Sequence, residues 1–275
     1  MEPTGTVEKA LDVLFHLHAT GEPQGLGAIA RALGLPKSSA HRLLASLARR
    51  GLVEQDTEGR YQPGIALVAL GLGALEREPV VRAARPVLEA EARALGHTLF
   101  LTALRGGAIT VLDMAEGPGF LRAAPRIGET VPVHATAVGR LHLAFEPERV
   151  PLARGALARF TERTRTDRAA LAQEVARVRA QGWAENREEW TRGLVVVAAP
   201  VLLGGRLVAS LAIGAPSAGL PERDVPDVAA RLVDAARRVA ERLEGRGTNS
   251  SAAAASAATP QRSQGAGRRR QGGSR

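Results

Sequence analysis

Between residues 37 and 60 the chain carries a cluster of hydrogen-bond donors and positive charges. Small hydroxyl groups and an imidazole accompany cationic side chains there, and no acidic residue lies between Glu22 and Glu54. Such donors bind phosphate oxygens and base edges, so the cluster predicts contact with duplex DNA, with an ordinary solvated charged face as the alternative. The candidate residues are Lys37, Ser38, Ser39, His41, Arg42, Arg49 and Arg60.

One helix from Pro36 to Arg50 would hold most of these donors on a single face. Proline suits the first turn of a helix, where its missing N–H group is not needed, and Gly51 is a natural end. At 100° per residue the helix has two opposite faces. The apolar face consists of Ala40, Leu43, Leu44 and Leu47, and the polar face of Ser38, Arg42, Ala45 and Arg49.

The neighbouring segments supply the rest of a winged helix-turn-helix over residues 1–63. A first helix from about Thr6 is predicted to bury Val7, Ala10, Leu11, Leu14 and Leu17, which recur at intervals of three and four. A short helix over residues 27–33 ends at Gly34, which suits a left-handed turn. A hairpin follows the third helix, with its turn at residues 56–59.

The net charge of +9 is a poor guide to the DNA-binding region. Residues 1–75 hold seven basic and seven acidic side chains, whereas residues 245–275 hold six arginines and no acid. Because this tail has almost no large apolar side chain, we expect it to be disordered. It is either a basic arm that adds non-specific affinity for DNA or a neutral extension.

The composition also excludes several kinds of site. Without cysteine the chain has no disulfide, thiolate metal site, iron–sulfur cluster or cysteine nucleophile, and a reducing, cytoplasmic setting is expected. Neither a signal peptide nor a membrane span is apparent, because the longest apolar run, 194–203, is about half the length of a span. Gly71 and Gly73 lack the third glycine of a dinucleotide loop, and no cofactor or metal is predicted.

Residues 64–244 indicate a second domain joined through an apolar helix. The segment 64–78 is apolar on nearly every side, so we predict a linker helix covered by a partner chain or by the second domain. Residues 79–244 then combine helices near 80–95, 167–181 (capped by Thr166) and 222–243 with two hairpins at 98–115 and 194–214. The overall prediction is an α+β fold with an antiparallel sheet in the second domain.

Three segments resemble the IclR-type transcriptional regulators. They are residues 29–44, residues 128–139, and residues 181–189 with the following stretch 193–201. The resemblance covers about residues 6–244. It implies a GAF-like effector domain, a homodimer or homotetramer, and a small-molecule effector that alters binding to a DNA operator.

The same resemblance implies a set of ligand-binding positions. Where relatives often have an acidic residue this chain has Asn186, Val196 stands where many have cysteine, and the usually serine-rich final strand reads Ala212 to Ala215. A less polar pocket favours a fairly apolar or aromatic acid, whose carboxylate backbone N–H groups near residues 134–136 could hold. The implied positions are Phe120, Ala123, Val131, Ala137, Val138, Asn186, Leu194, Val196, Ile213 and Ala215.

Several other side chains have two interpretations. His134 is either a donor at the pocket mouth or a capping or core histidine, and Trp183 and Trp190 are more often packing residues than pocket walls. Glu188 and Glu189 are adjacent and so point in different directions, which favours a solvated or dimer-contact role over a paired acid site.

Two alternative functions compete with a ligand-responsive regulator. An enzyme fused to a helix-turn-helix would need a nucleophile and a base, but Ser210 and Ser217 lack the G-x-S-x-G motif, and neither a P-loop nor an H-E-x-x-H motif is present. An effector-independent DNA-binding protein would lack a cavity in its second domain.

Overall fold

The computed structural model describes residues 5–118, 125–150, 152 and 154–257. It divides into two compact units, Met1–Arg82 and Ala83–Arg275. The boundary falls inside a helix, a few residues beyond the sequence-predicted start of the second domain at Pro79.

The first unit is a small helical domain with a two-stranded wing. Its wing strands pair antiparallel, with Val53 opposite Pro63. Its core contains Val13, Leu17, Ile29, Leu44 and Tyr61 among others. The elements are α1 (Thr6–Thr20), α2 (Leu26–Ala32), α3 (Lys37–Arg49), β1 (Val53–Gln55), β2 (Tyr61–Pro63) and α4 (Ile65–Arg77).

The turn between α2 and α3 has the geometry that the sequence predicts. Gly34 has a φ of 62°, a left-handed conformation that side chains disfavour. Pro36 is the N-cap of α3, and residues 40, 43, 44 and 47 are buried on its inner face. The predicted winged helix-turn-helix is therefore confirmed.

Helix α1 differs from its prediction in which face it buries. Val13 is fully buried, whereas Val7 and Leu11, which were expected inside, are 73% and 46% exposed. Together with Phe15, which is 68% exposed, they form a second apolar stripe that faces outward. The prediction is confirmed for Leu17, which is buried, and for Ala10 and Leu14, which pack against the core. It was wrong for Val7 and Leu11, because α1 is apolar on two sides and periodicity alone does not say which side meets α3.

The second unit is built on a six-stranded antiparallel sheet in the order β5-β4-β3-β8-β7-β6. The sequence did not predict the edge strands β5 and β6. The elements are α5 (Pro79–Leu95), β3 (Thr98–Arg105), β4 (Ala108–Ala115), β5 (Thr130–Val131), α6 (Ala137–Phe145), α7 (Arg168–Gln181), β6 (Ala184–Arg187), β7 (Leu194–Leu203), β8 (Arg206–Pro216) and α8 (Val225–Ala257).

Strand register assigns the residues of this sheet to two faces. Phe100 lies opposite Ala212, and Ala212 lies opposite Ala198, so these side chains share one face. That face packs into one core with α6, through residues such as Val138. The intervening positions, including Ile213, point to the other face because side chains alternate along a strand.

Two helix ends differ from the sequence prediction. The N-cap of α7 is Asp167, whose carboxylate accepts a 2.7 Å hydrogen bond from the N–H of Ala170, and not Thr166. Helix α8 continues to Ala257, past residue 245, where the disordered tail was predicted to start. The alanine-rich stretch 252–255 favours helix strongly, and residues 258–275 lie outside the described residues. Within the described ranges, no helix is long and apolar enough to cross a membrane.

Candidate functional site

The outer face of α3 presents the donors that the sequence singled out. Lys37, Ser38, His41, Arg42 and Arg49 are exposed, and Ser39 is half-buried. The opposite face anchors the helix in the core, so the donors are fixed in position without being covered.

A groove of about 450 Å³ runs beside this helix and adds a residue that sequence reasoning missed. Lys9 of α1 lines the groove together with Ser39, Arg42 and Ser46 of α3. Because Lys9 lies far from α3 in the sequence, only the packing of α1 against α3 brings its charge to this surface.

Arg60 occupies a different environment from the α3 donors. Its Nε atom lies 2.8 Å from Oδ2 of Asp56, and a second carboxylate, that of Glu58, lies 3.5 Å from its Nη1. The hydrogen bond with Asp56 raises the pKa of Arg60. The wing turn thus offsets much of the charge that Arg60 would bring to a phosphate.

A second, much smaller cavity, of about 30 Å³, lies in the second unit between the sheet and the start of α6. Its walls are almost wholly apolar, with few polar side chains among them. It is lined by Phe100, Thr102, Pro125, Val131, Thr136, Val138, Asn186, Trp190, Leu194, Val196 and Ala212.

Two of the polar residues in this cavity use their polar atoms to hold the backbone. The Asn186 amide donates to the carbonyl of Ala135 at 2.5 Å, and its oxygen accepts from the N–H of Glu189 at 3.0 Å. Thr136 donates to the carbonyl of Pro132 at 2.6 Å and accepts from the N–H of Gly139 at 3.1 Å. Asn186 therefore fixes the cavity wall, whereas the Thr102 hydroxyl has no hydrogen-bond partner among the described residues.

The start of α6 lies at the cavity, since Thr136 and Val138 both line it. Thr136 caps the helix, and N–H groups in a first turn have no partner within the helix itself. Together with the helix dipole they favour a bound anion such as a carboxylate. Gly139 allows the preceding loop to pack here, because a Cβ atom at this position would lie only 1.9 Å from the carbonyl oxygen of Val133.

A buried ion pair supports the turn between β6 and β7, which carries Trp190. Arg140 of α6 is fully buried, donates to a carboxylate oxygen of Glu189, and also donates to the carbonyl of Glu185 at 2.6 Å. Glu189 is only 5% exposed. The expectation of a solvated or dimer-contact role was therefore wrong for Glu189, because a distant helix supplies the buried arginine.

The two histidines near α6 do not line the cavity. Nε2 of His134 lies 2.8 Å from the carbonyl oxygen of Ala158, and its ring packs against Phe160. His134 is thus a core histidine and not a donor at the pocket mouth. His142 is buried in α6, and burial lowers its pKa to about 4, so it is neutral at pH 7. Within the described ranges, no cluster of three or more His, Asp or Glu side chains is arranged to hold a metal.

Both units match known protein domains. Residues 6–57 match the IclR helix-turn-helix domain, and residues 72–241 match the model described as bacterial transcriptional regulator IclR C-terminal. The chain belongs to the IclR family. Members of this family are transcriptional regulators and not enzymes, so the enzyme alternative does not apply.

Individual IclR-family proteins are similar over most of their length. The HTH-type transcriptional regulator BhcR of Paracoccus denitrificans is 31% identical over 239 residues, 85% of this chain and 85% of that protein. The glycerol operon regulatory protein of Streptomyces griseus is 36% identical over 238 residues, 84% and 92% of the two chains. The crystal structure of an IclR regulator from Alicyclobacillus acidocaldarius has a TM-score of 0.75 at 28% identity, over 88% of this chain and 99% of that chain.

The ligand positions implied by the IclR resemblance fall into four groups. Ala137 is buried in the core beside the cavity. Ile213 and Ala215 lie on the other face of the sheet and are not brought to the cavity, whereas Phe120 and Ala123 lie outside the described residues. The positions that do line the cavity are Val131, Val138, Asn186, Leu194 and Val196.

Sequence reasoning missed several residues of this IclR-family cavity. Phe100 and Thr102 are two positions apart on β3, so their side chains lie on the same face of the sheet. This spacing of two was the signal in the sequence that could have identified them as neighbours. Ala212 lines the cavity where Ile213 was expected, because the pairing of β8 with β3 and β7 puts the Ala212 side chain on the cavity face of the sheet. Trp190, for which packing was favoured, is a cavity wall.

Proposed function

We propose that this IclR-family regulator binds an operator through α3 and that a small, fairly apolar or aromatic acid in the second unit changes its affinity for DNA. The almost wholly apolar cavity beside the start of α6 carries this proposal, and its volume of about 30 Å³ would have to widen to admit the acid. The effector-independent alternative requires a second domain without such a cavity.

The α3 surface supports contact with the major groove. A groove-binding helix must be held from behind and must present donors outward, and α3 does both. Its small serines near the N-terminus leave room for the backbone to approach the bases, and Arg42 has the reach and the paired donors to bind a guanine edge. Arg49, near the other end of α3, is better placed for a phosphate.

The cavity supports an acid with an apolar body. Among its described lining residues there is no arginine or lysine, so the N–H groups at the start of α6 are the positive end available to a carboxylate. The hydrocarbon part of the ligand would contact Phe100, Val131, Trp190 and Val196, where an unpaired polar group would be costly to bury.

Arg42→Ala should weaken operator binding by about 1–3 kcal/mol, roughly 5- to 150-fold, if Arg42 reads a base. Fluorescence anisotropy with the DNA upstream of the protein's own gene, and with a scrambled duplex, measures this effect. Loss should be confined to the upstream sequence. Arg49→Ala is the matched control and should weaken both duplexes alike, since phosphate contacts carry no sequence information. Full affinity and selectivity in Arg42→Ala would contradict the assignment.

Titration of aromatic and aliphatic acids into the protein–DNA complex tests the effector. Binding of an acid should shift the anisotropy midpoint, and Trp190 in the cavity wall should report the same event in Trp183→Phe protein, where it is the remaining tryptophan. If no member of a broad panel changed DNA affinity, thermal stability or fluorescence, the effector-independent alternative would be favoured.

We also propose that two copies of the chain assemble through the apolar faces of the first unit. Residues exposed on α4 include Ile65, Val68 and Leu72, which share one side of the helix at 71%, 52% and 55% exposure. No charged side chain occurs between Ile65 and Leu75, so this surface cannot form an ion pair with a charged partner. A second copy presenting the same stripe would bury it through a two-fold axis, which also suits an operator with two half-sites.

The double variant Val68→Glu/Leu72→Glu should lower the oligomeric state in sedimentation equilibrium at micromolar concentration. The new glutamates of the two copies would face one another across the two-fold axis, and their like charges would be buried together. Ala172→Glu, a new acid at an exposed position of α7, is the control and should leave the mass unchanged. An unaltered oligomer in the double variant would place the contact elsewhere.

A further inference from the structure

Two buried hydroxyl groups lie on the cavity face of the sheet without a hydrogen-bond partner. Thr102 on β3 is 3% exposed and Ser210 on β8 is fully buried. The Oγ1 atom of Thr102 and the Oγ atom of Ser210 have no partner among the described residues.

Strand register places the two hydroxyl-bearing residues side by side. Thr102 and Ser210 are direct cross-strand partners, so their side chains leave the sheet on the same face. The next pair on that face is Phe100 and Ala212, and both of these line the cavity. Thr102 itself lines the cavity as well, whereas its fully buried partner Ser210 is not among the lining residues, so the Thr102 hydroxyl is the unpaired polar group on an otherwise apolar floor.

Such a pair is costly unless something binds it. Folded proteins seldom leave a buried hydroxyl unpaired, because it has lost its hydrogen bonds to water. Asn186 and Thr136, the other polar side chains described in this cavity, are already engaged with backbone groups. The Thr102 hydroxyl is therefore the side-chain group of the cavity wall that remains for a ligand, and the unpaired Ser210 hydroxyl is its cross-strand neighbour.

We propose that Thr102, with Ser210 as its cross-strand neighbour, binds a neutral hydroxyl or carbonyl group of the effector. This inference rests on the proposed function, in which the cavity holds the effector. A hydroxyl side chain both donates and accepts, so it suits either group. A second carboxylate would remain uncompensated here, because no cationic side chain is among the described lining residues. The pair thus selects monocarboxylic acids that carry one neutral polar substituent over their unsubstituted parents and over dicarboxylates.

Paired probes test this selectivity in the full-length protein. The probes are phenylacetate and benzoate, each with and without one ring hydroxyl, together with the corresponding dicarboxylates, and calorimetry or Trp190 fluorescence gives Kd. In wild-type protein we expect at least one hydroxylated acid to bind about 10-fold more tightly than its parent. Thr102→Val and Ser210→Ala should each reduce that ratio below about 3-fold while leaving the Kd of the parent nearly unchanged.

A second measurement does not depend on any ligand. Thr102→Val removes an unpaired buried hydroxyl with little change in shape, so the Tm of the ligand-free protein should rise by about 2–4 °C. Thr110→Val makes the same change on the other face of the sheet, where the hydroxyl has a backbone partner. This control should not raise the Tm and should not change the ratio of the Kd values of parent and hydroxylated acid.

The outcomes separate this inference from the function on which it rests. If parent and hydroxylated acids bind with equal Kd, or if the preference survives in both Thr102→Val and Ser210→Ala, the hydroxyl-pair assignment is overturned and the effector cavity stands. If neither parents nor hydroxylated acids bind while DNA binding is intact, the acid-binding cavity itself is contradicted, and this inference falls with it.

Discussion

Replacement of Glu189 by leucine should lower the free energy of unfolding of the second unit by about 3–5 kcal/mol, because it removes the carboxylate to which the buried Arg140 donates a hydrogen bond. Arg140 is fully buried, and it keeps a hydrogen bond to the carbonyl of Glu185 and an electrostatic interaction with the buried Glu174. Urea denaturation followed by circular dichroism gives the change. The same variant should weaken acid binding, since the turn that carries Trp190 loses its anchor.

The matched double variant Arg140→Met/Glu189→Leu removes both charges together. Replacing a buried ion pair by apolar residues of similar volume is often neutral, so most of the lost stability should return. If the loss of stability in the double variant instead equalled the sum of the losses in Arg140→Met and Glu189→Leu, the two side chains would contribute independently. The ion pair would then not explain the effect.

Gly139→Ala should destabilise the second unit by about 3 kcal/mol and abolish acid binding. The added Cβ atom would lie 1.9 Å from the carbonyl oxygen of Val133 and 2.5 Å from its carbonyl carbon, so main chain has to move. The groups displaced are those that cap α6 and shape one end of the cavity. Thermal unfolding and Trp190 fluorescence with a binding acid measure the two effects.

Gly155→Ala is the control for this substitution within the same unit. Gly155 has nothing within 4 Å of an added Cβ atom and no left-handed backbone, so stability and acid binding should stay within experimental error of wild type. If Gly139→Ala had the same stability and acid affinity as this control, the backbone of Val133 would not be packed closely against α6, and the prediction would be contradicted.

The local features of this protein followed directly from sequence. The two faces of α3, the turn at Gly34 and the hairpins at the paired glycines depend on residues close together in the chain, so helical periodicity and backbone preference suffice to predict them. The acid-free interval predicts DNA contact at α3, although the net charge lies mostly in the tail.

Features that depend on distant partners were decided by the tertiary structure. Helix α1 has two apolar stripes, and only its packing partner determines that Val13 turns inward while Val7 stays exposed. On β8, a shift of one residue exchanges the two faces of the sheet, so pairing with β3 and β7 brought Ala212 to the cavity in place of Ile213.

The sequence by itself thus indicated the family, the winged helix-turn-helix and the low polarity of the proposed effector cavity, because these depend on residue types and short-range spacing. Only the tertiary structure joined Arg140 to Glu189 and placed Thr102 beside Ser210. The members of each pair are far apart in the chain, and strand register and helix packing, which no local pattern encodes, bring their side chains together.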